Sequence, residues 1–106
     1  MAIIDQRDDV FTLINVFTVK PENQDTLVNL LIEATNSTMR HLPGFVSASI
    51  HKSLDNTRVI NYAQWRTKAD FEAMRTSPEA IPHMKAAAAL ASFDPIVCRV
   101  SESIAC

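Results

Sequence analysis

One glycine in the whole chain, Gly44, limits what this sequence can become. A dinucleotide-binding fingerprint, a P-loop and a nucleophile elbow each need several glycines. In all three the backbone must approach a ligand closely or turn sharply. Nucleotide-dependent chemistry is therefore disfavoured.

The remaining bounds come from size and charge. The 106 residues suit one domain, with a polar N-terminal extension over residues 1–9 and the domain proper over 10–104. A hydrophobic fraction of 47% supports a real core. A fold of this size buries less than about 70% of its unfolded surface, which leaves room for stabilisation by a partner subunit. Net charge is −2, from 10 basic and 12 acidic residues that are interspersed. A nucleic-acid partner would need a basic footprint, and none is present. No apolar run reaches the ~18 residues of a membrane span, so no membrane partner is expected either. The N-terminus, Met1-Ala2-Ile3-Ile4-Asp5-Gln6-Arg7-Asp8-Asp9, is too polar for a signal peptide. A cytoplasmic location is expected, with Cys98 and Cys106 as free thiols.

Periodicity supplies the elements. Residues 10–19 read as a strand. Phe11, Leu13, Asn15, Phe17 and Val19 lie on one face, and Thr12, Ile14, Val16 and Thr18 on the other. Both faces are largely apolar, so both should be covered. Lys20-Pro21-Glu22-Asn23 ends the strand and starts a helix running to about residue 40, with Leu27, Leu30, Leu31, Ala34 and Thr38 as one stripe. Pro43-Gly44 stops it. Residues 45–53 and 58–65 read as two strands joined by Leu54-Asp55-Asn56-Thr57, with Asn56 suited to the left-handed region. Thr67 is an N-cap with Asp70 three residues on, and Phe71 and Met74 give the short helix its apolar side. Ser77-Pro78-Glu79 starts a further helix, interrupted by Pro82 and ending near residue 91. Phe93-Asp94-Pro95 leads into a last strand over 96–102.

This order is βαββαβ, an α+β ferredoxin-like arrangement with an antiparallel sheet in the order 4-1-3-2. Helices cover one face. The bare apolar face needs a partner, and a second copy is the simplest one, so a homodimer is expected.

Two residues break the apolar rule for central strands. Asn15 sits between Leu13 and Phe17, and Asn61 between Val59 and Ala63. A buried amide without partners costs about 1–3 kcal/mol. Either each amide is satisfied by a neighbour or a buried water, or both line a cavity and offer hydrogen bonds to a ligand. Trp65 shares the face of Asn61, and its indole N–H needs an acceptor when buried. His51 depends on the hairpin loop. A two-residue loop at Asp55-Asn56 puts it on the face opposite to that of Asn61. A three-residue loop, Leu54-Asp55-Asn56, pairs Ser53 with Thr57 and puts His51 on the Asn61 face. The second is preferred because Asn suits the bulge position. His51 is then a candidate base near neutral pH, or otherwise a solvated strand-end histidine. Together His51, Asn61 and Trp65 would line a cavity beneath the helices, with Phe71 and Met84 as its apolar wall. His83 and Lys85 lie on the interrupted helix. His41, near a helix end, is explained by the helix dipole. No histidine or carboxylate spacing suits a metal, so no metal site is expected. Cys98 reads as a small buried hydrophobe.

The opening strand with Lys20-Pro21, the run Leu42-Pro43-Gly44-Phe45, the run Asn61-Tyr62-Ala63-Gln64-Trp65 followed by Phe71, and the Ser77-Pro78 helix together resemble the antibiotic biosynthesis monooxygenase family. The resemblance runs from about residue 11 to 102. It implies a dimeric α+β barrel. Val59-Ile60-Asn61-Tyr62-Ala63-Gln64-Trp65, preceded by Ile50-His51, is similar to the members that oxidise phenolic polyketide intermediates to quinones without a cofactor. There the substrate phenolate reduces O2 directly, so the implied cofactor set is empty. Residues matching Asn61 and Trp65 contact the substrate, and a basic residue for which Lys85 is the nearest match assists. The phenol-oxidising members carry a Tyr at Phe71. A haem-degrading branch has an Asn matching Asn15 and a His within a residue of His83, but its Trp position is Met74.

The reading that results is a cofactor-independent monooxygenase. Its catalytic residues are Asn61, Trp65 and His51; Asn15, Phe71, Met84, Lys85 and His83 bind a small aromatic substrate that reacts with O2. The alternatives are a non-enzymatic ligand-binding or stress-associated dimer on the same fold, or a haem-binding relative.

Overall fold

β1 (Phe11–Val19) is the strand on which the rest is organised, and the computed structural model describes it within residues 1–106. A 3-10 turn at Pro21–Asn23 leads into α1 (Gln24–Ser37), and a second 3-10 turn, Met39–His41, ends that segment. β2 (Phe45–Lys52) and β3 (Arg58–Trp65) form a hairpin. α2 (Lys68–Arg75), α3 (Ile81–Leu90) and β4 (Ala91–Cys98) complete the chain. The strands pair antiparallel in the order β2-β3-β1-β4, so β1 and β3 are the central neighbours, as the sequence leads one to expect.

The alternation along β1 decides the core. Leu13, Phe17 and Val19 are buried on the helix side. Leu27 from α1, Val59 from β3 and Ala87 from α3 close over Phe17 and Val19. A second cluster gathers Leu13, Ala63, Trp65, Phe71, Met74 and Ala80. Gln24 ties α1 to the base of the hairpin, donating from Nε2 to the carbonyls of Ser53 (3.1 Å) and Arg58 (2.9 Å).

Gly44 has φ +81°, the left-handed region that L side chains adopt only at a cost. A Cβ there would also meet the side chain of Asp70. Asp70 is held by the N-cap, with its N–H donating to Thr67 Oγ1 at 3.1 Å, so it has little freedom to retreat. Gly44→Ala is therefore expected to destabilise the fold by at least about 1–2 kcal/mol from the backbone alone. The midpoint of urea unfolding measures it, and an unchanged midpoint would refute the argument.

Three expectations are corrected. The hairpin loop has four residues, not three. Ser53 faces Arg58, donating N–H to its carbonyl at 3.0 Å, and the register runs Ile50 to Asn61, His51 to Ile60 and Lys52 to Val59. Asn56 does take the left-handed conformation, at φ +67°. The Asp55 carboxylate organises the turn, accepting from Thr57 Oγ1 (2.7 Å), Ser53 Oγ (2.8 Å) and Thr57 N–H (3.0 Å). These bonds, led by that from Thr57 Oγ1, lower its pKa to about 2. A four-residue loop built on those bonds changes the pairing by one residue, which moves every side chain of β2 to the other face relative to β3.

The last strand is Ala91–Cys98 rather than 96–102. It follows α3 with no loop and takes in Phe93-Asp94-Pro95, with Pro95 opposite Asn15. Proline is tolerated there because β4 is an edge strand. Cys98 is consequently half-buried rather than a core residue. The last helix begins at Ile81, with Pro82 in its first turn rather than interrupting it. Ser77-Pro78-Glu79 forms a turn ahead of it.

The face away from the helices is not wholly bare. Thr12, Ser47 and Gln64 are buried there. Ser47 Oγ donates to Gln64 Oε1 at 2.6 Å, and Gln64 Nε2 donates to the Ile3 carbonyl at 2.9 Å, which brings the N-terminal segment over one end of the sheet. No helix is long and apolar enough to cross a membrane.

Candidate active site

A cavity of about 140 Å³ lies between the helix-side face of the sheet and the helices, and its wall is mostly apolar. Leu13, Phe17, Ala63, Met74, Met84 and Ala87 contribute to that wall. Its polar side chains are Asn15, Asn61 and Trp65 on the two central strands, with Thr35 and His83 on the helices.

Asn15 and Asn61 face each other directly across the β1–β3 pair, and both line the cavity. Trp65, at the end of β3, lines it as well; its ring packs edge-on against Phe45 at 5.5 Å between centroids. Asn15 Oδ1, Asn61 Oδ1 and Trp65 Nε1 are all buried, and none has a hydrogen-bond partner. Buried polar groups are nearly always paired, and an orphan costs about 1–3 kcal/mol. Three orphans on one apolar cavity are what a binding site for an oxygen-bearing ligand requires. An amide carries two donors and an acceptor, and a half-turn of its terminal torsion exchanges them. The indole N–H is a donor only. The arrangement can therefore hold a flat apolar ligand and direct hydrogen bonds at its oxygens.

The other residues singled out from sequence fall in different places. Met84 and His83 line the cavity. His83 Nε2 lies 3.0 Å from Thr38 Oγ1. Phe71 is buried but stands outside the lining, stacked on Phe11 at 5.3 Å and covered by the Arg75 guanidinium at 5.8 Å. Lys85 is exposed and outside the lining. Two residues along a helix turn the side chain by about 200°, so His83 and Lys85 cannot share a face. His51 is exposed and sits opposite Ile60, on the sheet face away from the cavity. Its expected place beside Asn61 is thus corrected by the hairpin register, and it leaves the site.

Sequence reasoning missed Thr38 as a partner of His83, and Phe93, Phe45, Met39 and Thr35 as lining residues. Thr38 was detectable as the last member of the α1 stripe; the others depend on packing. No group of three or more His, Cys, Asp or Glu side chains is placed to hold a metal ion.

Comparison with known proteins fits this geometry. The chain is 47% identical to the tetracenomycin-F1 monooxygenase of Streptomyces glaucescens over 103 residues, covering 97% of this chain and 92% of that protein. The structure superposes on a monooxygenase from the gene ActVA-Orf6 of Streptomyces coelicolor, solved in complex with Nanaomycin D, with a TM-score of 0.84 at 27% identity, covering 93% of this chain and 94% of the other. SnoaB, a cofactor-independent oxygenase from Streptomyces nogalater, shares the fold with a TM-score of 0.77 at 23% identity, covering 91% and 97%. The family model for antibiotic biosynthesis monooxygenase matches residues 10–90. The chain belongs to the antibiotic biosynthesis monooxygenase family.

Proposed function

We propose that this protein oxidises a polycyclic aromatic phenol or hydroquinone to a quinone with O2, using no flavin or metal. The observation that carries the reading is the set of three unpartnered polar atoms, on Asn15, Asn61 and Trp65, in an apolar cavity. The 47% identity to a tetracenomycin-F1 monooxygenase supports a polyketide-like substrate.

In this reading the ring lies against the apolar wall, and the amides and indole direct hydrogen bonds at its oxygens. Donors aimed at an oxygen that is gaining charge favour the phenolate. The phenolate transfers electrons to O2, and a C–O bond forms at a ring carbon. The peroxide O–O bond then breaks, water leaves with the proton from that carbon, and the quinone remains. Asn61 and Trp65 are assigned to the reacting oxygen, and Asn15, Met84 and His83 to holding the ring. Phe71 supports Trp65 from behind. Lys85 and His51 have no role in this reading.

Oxygen uptake with a dihydroxynaphthalene or an anthrone tests the assignment. One O2 consumed per quinone formed, unaffected by a chelator, is expected. No uptake with either compound, or stoichiometric flavin in the purified protein, would overturn it and favour a ligand-binding role on the same fold.

We also propose a homodimer through the sheet face away from the helices, where Ile14, Val16 and Ile60 are half-buried and Ile96 is 47% exposed. A stable dimer should bury more than about 2,000 Å² there. Sedimentation at micromolar concentration should show a dimer, and a monomer would exclude this interface. The free cysteines fit a cytoplasmic location.

A further inference from the structure

Of the residues that line the cavity, His83 alone carries an ionisable side chain. The lining residues of β1, β2, β3, β4, α1 and α2 are neutral. Lys85 on the same helix, and Arg40 and His41 on the neighbouring 3-10 turn, are exposed and outside the lining. Any proton that leaves a ligand for a side chain of this cavity therefore has one destination.

Hydrogen-bond accounting decides which nitrogen can receive it. Ser37 Oγ donates its single proton to the Glu33 carbonyl at 2.8 Å. Toward Thr38 Oγ1, at 3.3 Å, it can then only accept. The assignment that gives each of these contacts one proton has Thr38 Oγ1 donating to Ser37 Oγ and accepting from His83 Nε2, 3.0 Å away. The chain of donors thus runs from His83 through Thr38 and Ser37 to a backbone carbonyl. A neutral imidazole with its proton on Nε2 has a bare lone pair on Nδ1.

We propose that His83 Nδ1 is the proton acceptor for the substrate's phenolic hydroxyl, and that Thr38 is a positioning residue that fixes the ring in the required tautomer. This rests on the phenol-oxidising reading of the site. The phenolic O–H bond breaks with both electrons staying on oxygen, and the proton forms an N–H bond at Nδ1. The imidazolium then donates from both nitrogens, to Thr38 and to the phenolate. An unperturbed imidazole is a far weaker base than a phenolate. The transfer therefore depends on the amides and indole that favour the anion, which makes His83 and Asn61 cooperative.

The test uses the full-length protein and two readouts. The first is the visible spectrum of bound 1,8-dihydroxyanthraquinone, a phenol that is already a quinone and changes colour on ionising. Bound to the parent protein, it should ionise at lower pH than in water. His83→Gln and Thr38→Val should move that midpoint upward, and Thr38→Ser, which keeps the hydroxyl, should restore it. The second is oxygen uptake with the dihydroxynaphthalene. His83→Gln should lower kcat by about 100-fold or more, the usual worth of a general base. Thr38→Val should lower kcat by less, with KM little changed. Equal midpoints in the parent and both variants would overturn the proposal and leave the oxidation reading standing. A shifted midpoint without oxygen uptake would support the proton acceptor and overturn the oxidation reading. Failure of the parent protein to bind the probe would overturn both.

Discussion

Asn61→Leu is expected to melt no lower than the parent protein and to lose about 100- to 1,000-fold in turnover. The two halves have separate causes. In the folded chain Asn61 Oδ1 has no hydrogen-bond partner, so removing the amide breaks no bond within the protein. Replacing a buried unsatisfied group by an apolar one relieves a penalty of about 1–3 kcal/mol. The neighbouring cavity gives the leucine methyls room. Turnover falls because an amide aimed at a developing oxyanion acts mainly in the transition state. Asn61→Ala should show the same split. Thermal melting beside oxygen uptake measures both. A lowered melting temperature with unchanged turnover per folded molecule would make Asn61 structural and remove its assigned role. A stability gain coupled to lost activity is the pattern expected of a residue kept for function.

Trp65→Ala should have the largest effect on stability. Trp65 is 2% exposed and belongs to the cluster of Leu13, Ala63, Phe71, Met74 and Ala80. It also packs edge-on against Phe45, across the start of the β2–β3 hairpin. Truncating a buried tryptophan costs about 3–5 kcal/mol, because the cavity left behind closes only in part. In a domain of this size that corresponds to a fall of roughly 10–20 °C in Tm. Parent and variant must be compared at one protein concentration, since a dimer's Tm depends on it. Trp65→Phe separates packing from chemistry. It keeps an aromatic ring against Phe45 and removes only the unpartnered N–H, so its stability loss should be below about 1.5 kcal/mol. If the indole donates to the substrate, its turnover should still fall. A Tm for Trp65→Ala within 3 °C of the parent would show that the cluster relaxes around the loss.

What the sequence determined by itself is what is local. The alternation along 10–19 placed Asn15 with Leu13 and Phe17, and that along 58–65 placed Asn61 with Trp65; both pairings stand in the sheet. The α1 stripe, the Thr67 cap and the left-handed Asn56 are local as well. Motif resemblance added the family, because Leu42-Pro43-Gly44-Phe45 and the run ending at Trp65 carry it in short stretches. Tertiary structure decided the relations between elements. His51 changed faces because one residue more in the hairpin loop inverts parity along the whole of β2; the Asp55 bonds that hold the loop are local, but the pairing of β2 with β3 that fixes its length is not. β4 began at Ala91 because edge position, which no local pattern reveals, makes Pro95 acceptable in a strand. Thr38 and His83 are 45 residues apart and meet only where α1 and α3 pack together over the sheet. Periodicity assigns a side chain to a face of its own element; which faces meet, and at what register, follows from packing and loop closure, and the candidate site is made almost wholly of such meetings.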